Sequence, residues 1–259
     1  DESIKMYVVA DPHYMSEKMT EDSETYNNYL NTVDRMMKYT GVLLDVVEDE
    51  VKKNEPNIVV FPGDLTNNGS KVNHQEFEKR LKRLKKTGTK VYVIPGNHDL
   101  NNEKALYFKD DKIFMTESIN EEEFVDLYSS YGYDEAISRD ENTLSYLVKP
   151  YKNLWLLMLD TTKDYPEPGG YLNRDSLNWI IECSEMAKEA AAEMVVVMHH
   201  NLLDHSDIIW EDYTLDNNTS AINTFHEIGI QVVLSGHIHI QDYKTHTSTQ
   251  TGNTIYDIA

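Results

Sequence analysis

Ile58-Val59-Val60-Phe61-Pro62-Gly63-Asp64 reads as a buried strand that stops abruptly. Four consecutive apolar residues fit a strand covered on both faces, and Pro62-Gly63 ends the ladder and hands the chain to a carboxylate. The same grammar recurs on either side. Ile4–Ala10 is an apolar run of buried-strand type followed by Asp11-Pro12-His13, and Val91–Ile94 is followed by Pro95-Gly96-Asn97-His98-Asp99. Between these strands the spacing of Tyr29, Val33, Met37, Leu44, Val47 and Val51 predicts one helix from about Tyr26 to Lys53, with Pro56 marking its end. Phe77, Leu81 and Leu84 predict the next, closed by Gly88. Strand, helix, strand, helix, strand is the pattern of right-handed crossover units, so the fold class is α/β with parallel strands. Ligands of such sheets bind at the carboxyl ends of the strands, and the loops after Ala10, Phe61 and Ile94 are expected to converge on one crevice.

The alternation pauses at 101–142, a Tyr- and acid-rich stretch that we read as an insertion near the crevice. Its helix Glu121–Ser130 is expected to start on a capping box at Ser118-x-x-Glu121. Leu144–Val148 and Asn153–Leu159 form a hairpin pattern. Asn173 and Asp175 cap a helix through about Ala191, with Leu177, Ile180, Ile181 and Ser184 on its inward side. Val195–Met198, a helix near Ser220–Ile228 ended by Gly229, Val232–Leu234 and a strand around Thr254–Ile258 complete the pattern. No internal repeat or low-complexity linker interrupts it, so 1–259 counts as a single domain, with continuation past Ala259 left open.

Composition narrows the function classes. A net charge of -21 supplies no basic surplus for a nucleic-acid backbone, so duplex binding is not expected. Most of these carboxylates read as a solvated surface. The single cysteine, Cys183, rules out an intrachain disulfide framework and any Cys-rich zinc site, and reads as a helix-packing residue. The apolar runs, such as Leu154–Leu159 and Met194–Met198, fall far short of the ~18 residues that span a bilayer. The start at Asp1 without an initiator Met leads us to expect an upstream segment, removed by processing or by design, and an extracytoplasmic setting. Oligomeric state is not legible.

Five polar clusters follow five strands: Asp11-x-His13, Gly63-Asp64, Gly96-Asn97-His98-Asp99, His199-His200 and Gly236-His237-x-His239. Singly, each is as consistent with a turn or a cap as with a ligand. In this order and at these positions they resemble the calcineurin-like metallophosphoesterase superfamily, whose signature D-x-H, G-D, G-N-H-D/E, H and G-H-x-H is present from Asp11 to His239. The resemblance implies a four-layer α/β/β/α sandwich, a layering that periodicity alone does not give. It also implies two metal positions, one held by Asp11, His13, Asp64 and His239, the other by Asp64, Asn97, His199 and His237, with Asp64 bridging. Imidazole, carboxylate and amide donors suit Mn or Fe first, with Zn, Co or Ni as further choices. Gly63, Gly96 and Gly236 allow sharp turns close to the metals.

The chemistry implied by this resemblance is hydrolysis of a small-molecule phosphate ester. Two cations about 3.5–4 Å apart can activate a shared water and neutralise the phosphoryl oxygens. His98 is the expected catalytic group beside the metals, contacting the phosphoryl group or protonating the leaving alkoxide. Asp99 either orients it or caps the next segment. His200 is expected either at the rim or behind the ligands; His74, His205, His226 and His246 read as surface or packing residues. After Asp64 the chain runs Leu65-Thr66-Asn67-Asn68-Gly69, departing from the G-D-x-x-D-R-G of protein Ser/Thr phosphatases and lacking the ligand Tyr of purple acid phosphatases. The Arg of the former is a bidentate phosphate clamp, so its absence disfavours phosphoproteins. The run is similar to the G-D-L-T-x-x-G of the bacterial phosphodiesterase-like branch, so a phosphodiester, cyclic nucleotides included, is the expected substrate class. A phosphomonoesterase or nucleotidase using the same metals is the alternative enzyme, and a non-catalytic metal-dependent scaffold the alternative of another class. Tyr107, Phe108, Tyr128, Tyr131 and Tyr133, and also Trp210 and Tyr213, are readable either as base-stacking or lid residues or as packing.

Overall fold

The computed structural model describes residues 3–33 and 36–259. Three parallel strands, β1 (Met6–Val8), β2 (Ile58–Pro62) and β3 (Lys90–Ile94), form one sheet in sequence order. Two antiparallel strands, β4 (Leu106–Lys109) and β5 (Lys112–Met115), stand apart as a hairpin. The second sheet contains β6 (Ser138–Arg139), β7 (Tyr146–Tyr151), β8 (Leu154–Leu159), β9 (Glu193–Met198), β10 (Val232–Leu234), β11 (Tyr243–Thr247) and β12 (Thr254–Ile258) in the order β11-β12-β10-β9-β8-β7-β6.

Side-chain alternation along β8 shows how the layers stack. Leu156 and Met158 join the core shared with β2 and β3, whereas Trp155, Leu157 and Leu159 join a second core. Because successive side chains leave opposite faces of a strand, the second sheet is sandwiched between the first sheet and a helical layer. That outer layer is α5 (Arg174–Glu189) and α6 (Asn218–Ile228), which contribute Ile180, Cys183, Ala221 and Phe225. On the far side of the first sheet, α2 (Thr40–Asn54) and α3 (Lys71–Lys85) contribute Leu44, Val51, Phe77 and Leu81. Four layers, α/β/β/α, result. The buried carboxylate of Glu48 ties α2 to α3 through Arg80 at 2.9 Å and Arg83 at 2.8 Å. No helix among the described residues is long and apolar enough to cross a membrane.

Several expectations need correcting. The single helix over Tyr26–Lys53 is two: α1 (Glu24–Leu30) and α2. The backbone N–H of Thr32 and its hydroxyl both donate to Tyr29 O and close α1, while Asp34 and Arg35, inside the expected helix, lie outside the described residues. The shared periodicity spanned two cores, since Tyr26 packs with Met15, Met19, Met37 and Phe108 in a satellite cluster. The fourth helix, α4 (Glu121–Leu127), starts at a capping box on Asn120 and Glu123, not on Ser118 and Glu121. Ser118 is held in a β-bridge to Ser70, and Ile119 N–H donates to Gly69 O, so the chain is still extended there. Ordered strand at the amino end covers only Met6–Val8, and it is half-buried, with Val8 exposed. Within 101–142, Phe124, Tyr128, Tyr131 and Tyr133 are buried in the main core, with Phe124, Tyr128 and Tyr131 against α3, so those three tyrosines are unavailable for stacking a base.

In the second half both helices follow their sequence pattern, whereas β7 begins and ends later than the expected Leu144–Val148 and β11 is an added strand. Asn173 caps α5 by accepting the Ser176 N–H at 2.8 Å, and Gly229 closes α6 in the left-handed region with φ 85°. Buried α5 positions include Trp179, Cys183 and Ala187 as well as Ile180 and Ser184, while Leu177 and Ile181 are only half-buried.

Candidate metal centre

Turns at the carboxyl ends of β1, β2, β3, β9 and β10 bring together Asp11, His13, Asp64, Asn97, His98, His199, His237 and His239. Five of these, Asp11, His13, Asp64, His237 and His239, hold φ values between 40° and 68°, the left-handed region that non-glycine residues avoid. Each such residue costs on the order of 1–3 kcal/mol unless its surroundings fix it. Loop-to-loop hydrogen bonds do so here. His13 N–H donates to Asp64 O at 2.9 Å, His98 N–H to Asp64 Oδ1 at 2.9 Å, His237 N–H to Asp11 Oδ2 at 2.8 Å and Gly236 N–H to His199 O at 2.9 Å. The loops approach so closely that a methyl group at Gly63 would sit 2.6 Å from His199 Nδ1.

Asp64 occupies the middle. With Oδ1 taken by His98 N–H, its Oδ2 lies 3.4 Å from His13 Nε2 and 3.5 Å from His199 Nε2, facing imidazoles from two different parts of the chain. Burial alone would raise its pKa, but His199, His98 and His13 hold it well below the usual carboxylate range. The reciprocal effect is visible at His199. Burial lowers its pKa and the neighbouring Asp64 more than compensates, leaving it near 9 before any metal binds. His199 Nδ1–H donates to Pro62 O at 2.9 Å, which fixes the tautomer and points Nε2 at Asn97 Oδ1, 3.0 Å away. At His237, Nε2–H donates to Asp212 O at 3.0 Å, so Nδ1 is the nitrogen left to ligate. Burial, with His199 beside it, pushes its pKa down to about 3, the neutral form a metal requires.

On the other side, His13 Nε2 and His239 Nε2 are 2.9 Å apart, and His239 Nε2 is 3.6 Å from Asp11 Oδ1. The ligand atoms of Asp11, His13 and His239 all lie within 4.8 Å of one another, as do those of Asp11, Asp64 and His199. Asp11 Oδ1 is buried and accepts no hydrogen bond. A buried carboxylate oxygen that accepts no hydrogen bond and is aimed among imidazole nitrogens is stabilised by a cation, so this donor set fits metal ions.

Two neighbours have other tasks. His200 is buried with both nitrogens engaged: Thr161 Oγ1 donates to Nδ1 at 2.7 Å, and Nε2–H donates to Pro168 O at 2.9 Å. Although its ring lies beside His199 and His237, it anchors the 160s loop rather than the rim. Asp99 is fully buried, with Oδ2 accepting from Leu65 N–H and Gly96 N–H and Oδ1 from Thr66 N–H and Oγ1–H, at 2.9–3.0 Å. Its carboxylate staples the loop after β2 to the loop after β3, so the orienting role considered for it against His98 gives way to a structural one. Burial, then the Asp64 charge, push its pKa up to about 7.

His98 meets His13 edge-on, with ring centroids 5.1 Å apart, at the floor of a cleft of about 420 Å³. Its walls include Ile209, Glu211, Asp212 and Tyr213, with Pro168 and Ile240. Among these wall residues the sequence had singled out Tyr213 alone. Glu211 and the Asp212 carbonyl lie in an aperiodic loop that gave no signal. Asn68, standing where a phosphate-clamping Arg would be, is buried and engaged by its surroundings, its Oδ1 accepting from Asn73 Nδ2 on α3 and its Nδ2 donating to Leu106 O on β4.

The α/β/β/α sandwich carries paired carboxylate and imidazole clusters at its strand ends. The profile of the calcineurin-like phosphoesterases matches residues 4–241, and the chain belongs to that family, a match that makes it a metal-dependent phosphoester hydrolase. A probable glycerophosphodiester phosphodiesterase from Arcobacter nitrofigilis is 43% identical over 47 residues, which is 18% of this chain and 16% of that protein. A dimetal phosphatase from Danio rerio shares the fold with a TM-score of 0.65 at 13% identity, over 99% of this chain and 87% of its own.

Proposed function

We propose that the chain hydrolyses a small phosphodiester at a dinuclear centre made by Asp11, His13, Asp64, Asn97, His199, His237 and His239, with Mn or Fe as the first choice of metal and Zn, Co or Ni compatible with the same donors. The observation that carries the diester reading is the charge of the cleft. Its lining includes Glu211 and Asp212 and, among the described residues, no Lys or Arg, so bound metals would be its main positive charge. A monoanionic diester makes a smaller demand on such a site than a dianionic monoester, whose extra charge would face two carboxylates. The short match to a glycerophosphodiester phosphodiesterase points the same way. Bound metals supply Lewis acidity and an activated water. The protein's own residues set the tautomers of His199 and His237 and hold Asp64 ionised, and His98, lining the same cleft, would be the group that donates a proton to the departing oxygen.

The test is turnover of bis(p-nitrophenyl) phosphate against p-nitrophenyl phosphate by Mn²⁺-reconstituted protein. A higher kcat/KM on the diester is expected; a preference for the monoester would replace this reading with the nucleotidase one.

A further inference from the structure

We propose that Asp257 is the positioning residue that sets the spacing of the two histidine-bearing loops, and thereby the affinity of the metal position assigned to His199 and His237. The inference rests on the dinuclear reading above. Asp257 lies on β12, beyond the residues that the family profile matches, and is completely buried. Its Oδ2 accepts Leu202 N–H at 2.8 Å and Leu203 N–H at 2.9 Å, gripping the loop just after His199-His200. Its Oδ1 accepts Ser235 Oγ–H at 2.7 Å, gripping the residue before Gly236-His237. Asn201 continues the link, since its Nδ2 donates to Ser235 Oγ at 2.8 Å and to Gly236 O at 3.0 Å. His205 closes the cluster, with Nε2 3.2 Å from Asp257 Oδ2 and Nδ1 3.5 Å from Asp242 Oδ2.

The arrangement mirrors Asp99. One buried carboxylate stitches the Asp64 loop to the Asn97 loop in the first half of the chain; the other stitches the His199 loop to the His237 loop in the second. The two carboxylate oxygens of Asp257 accept three N–H and O–H donors from two loops at once. Neither loop can relax easily, because Leu202 and Leu203 are buried in the outer core and His237 sits at a left-handed φ of 68°. Residues that orient ligands from behind in this way typically contribute 10–100-fold to metal affinity.

Equilibrium dialysis of metal-free protein against Mn²⁺, with free Mn²⁺ read by EPR, tests the assignment. For Asp257→Ala we expect one of two Mn²⁺ sites to weaken by about 10–100-fold while the other stays close to wild type. Asp257→Asn keeps an acceptor for Leu202 and Leu203 but offers no second oxygen to the Ser235 hydroxyl, so it should recover only part of the loss. If Asp257→Ala does not fold, Ser235→Ala decides. It removes the link from Asp257 to the His237 loop, leaving the Asp257 grip on Leu202 and Leu203 and the Asn201 bond to Gly236 O, and weakening of one site is again expected. Folded variants that bind two Mn²⁺ with wild-type affinities, or lose both sites in parallel with thermal stability, would overturn the assignment. Wild-type protein that binds fewer than two Mn²⁺ would instead overturn the dinuclear reading, and this inference with it.

Discussion

Acid should destabilise the metal-free protein through His74, a residue outside the metal cluster. His74 on α3 is fully buried. Its Nε2–H donates to Asp99 O at 3.0 Å, and Tyr128 Oη–H donates to its Nδ1 at 2.8 Å, an arrangement that needs the neutral ring. Burial pushes its pKa from 6.5 down to about 3, despite the Asp99 carbonyl pulling the other way. Because the folded value is depressed, the unfolded chain binds more protons between these limits. The stabilisation is therefore complete above 6.5 and is lost as pH falls through that window. Linkage gives a loss of about 2 kcal/mol between pH 7 and pH 5.

Other groups titrate nearby with different signs. Asp99, raised to about 7, favours the folded state as pH falls, whereas His237, lowered to about 3, acts in the same direction as His74. The difference between two proteins removes these contributions. His74→Gln keeps an N–H for Asp99 O and an oxygen for the Tyr128 hydroxyl but cannot take up a proton. Urea unfolding in EDTA at pH 7, 6 and 5 should show wild type losing about 2 kcal/mol more than the variant over this range. Parallel curves for the two proteins would refute the claim that burial keeps His74 neutral.

Two predictions concern the cleft. His98→Ala should retain both metals, since its ring belongs to neither proposed ligand set, and lower kcat by roughly 10²–10⁴ if the ring is the proton donor; metal analysis alongside steady-state kinetics checks both halves. Glu211→Lys reverses one wall charge, and the ratio of monoester to diester kcat/KM should rise by about tenfold or more, a shift of about 1.4 kcal/mol; an unchanged ratio would remove Glu211 from substrate selection.

How far the sequence could lead depended on where each contact is made. Strand ends punctuated by Pro-Gly or Gly-Asp were legible, because a buried strand and a turn-forming pair are local features, and the ligand candidates came with them. Boundaries governed by distant partners were not. The helix between Tyr26 and Lys53 divides because Tyr26 and Leu44 serve different cores, and Ser118 loses the helix start to Asn120 because Ser70 holds it in a bridge. β11 could not be read either, since Tyr243–Thr247 is exposed on both faces and carries no alternation. In the site, the staple role of Asp99 depends on the backbone N–H groups of Leu65 and Thr66, more than thirty residues away. His237 likewise owes its orientation to a backbone carbonyl, that of Asp212, which no side-chain motif reports.

The central claim is that two metals share Asp64. Stepwise addition of Mn²⁺ to metal-free wild type and Asp64→Ala, with hydrolysis of bis(p-nitrophenyl) phosphate followed at each step, tests it most directly. Wild-type activity should keep rising until two equivalents are bound, and the variant should bind neither tightly and stay inactive. Wild type saturating at one equivalent, or a fully active Asp64→Ala variant, would contradict the shared-ligand centre.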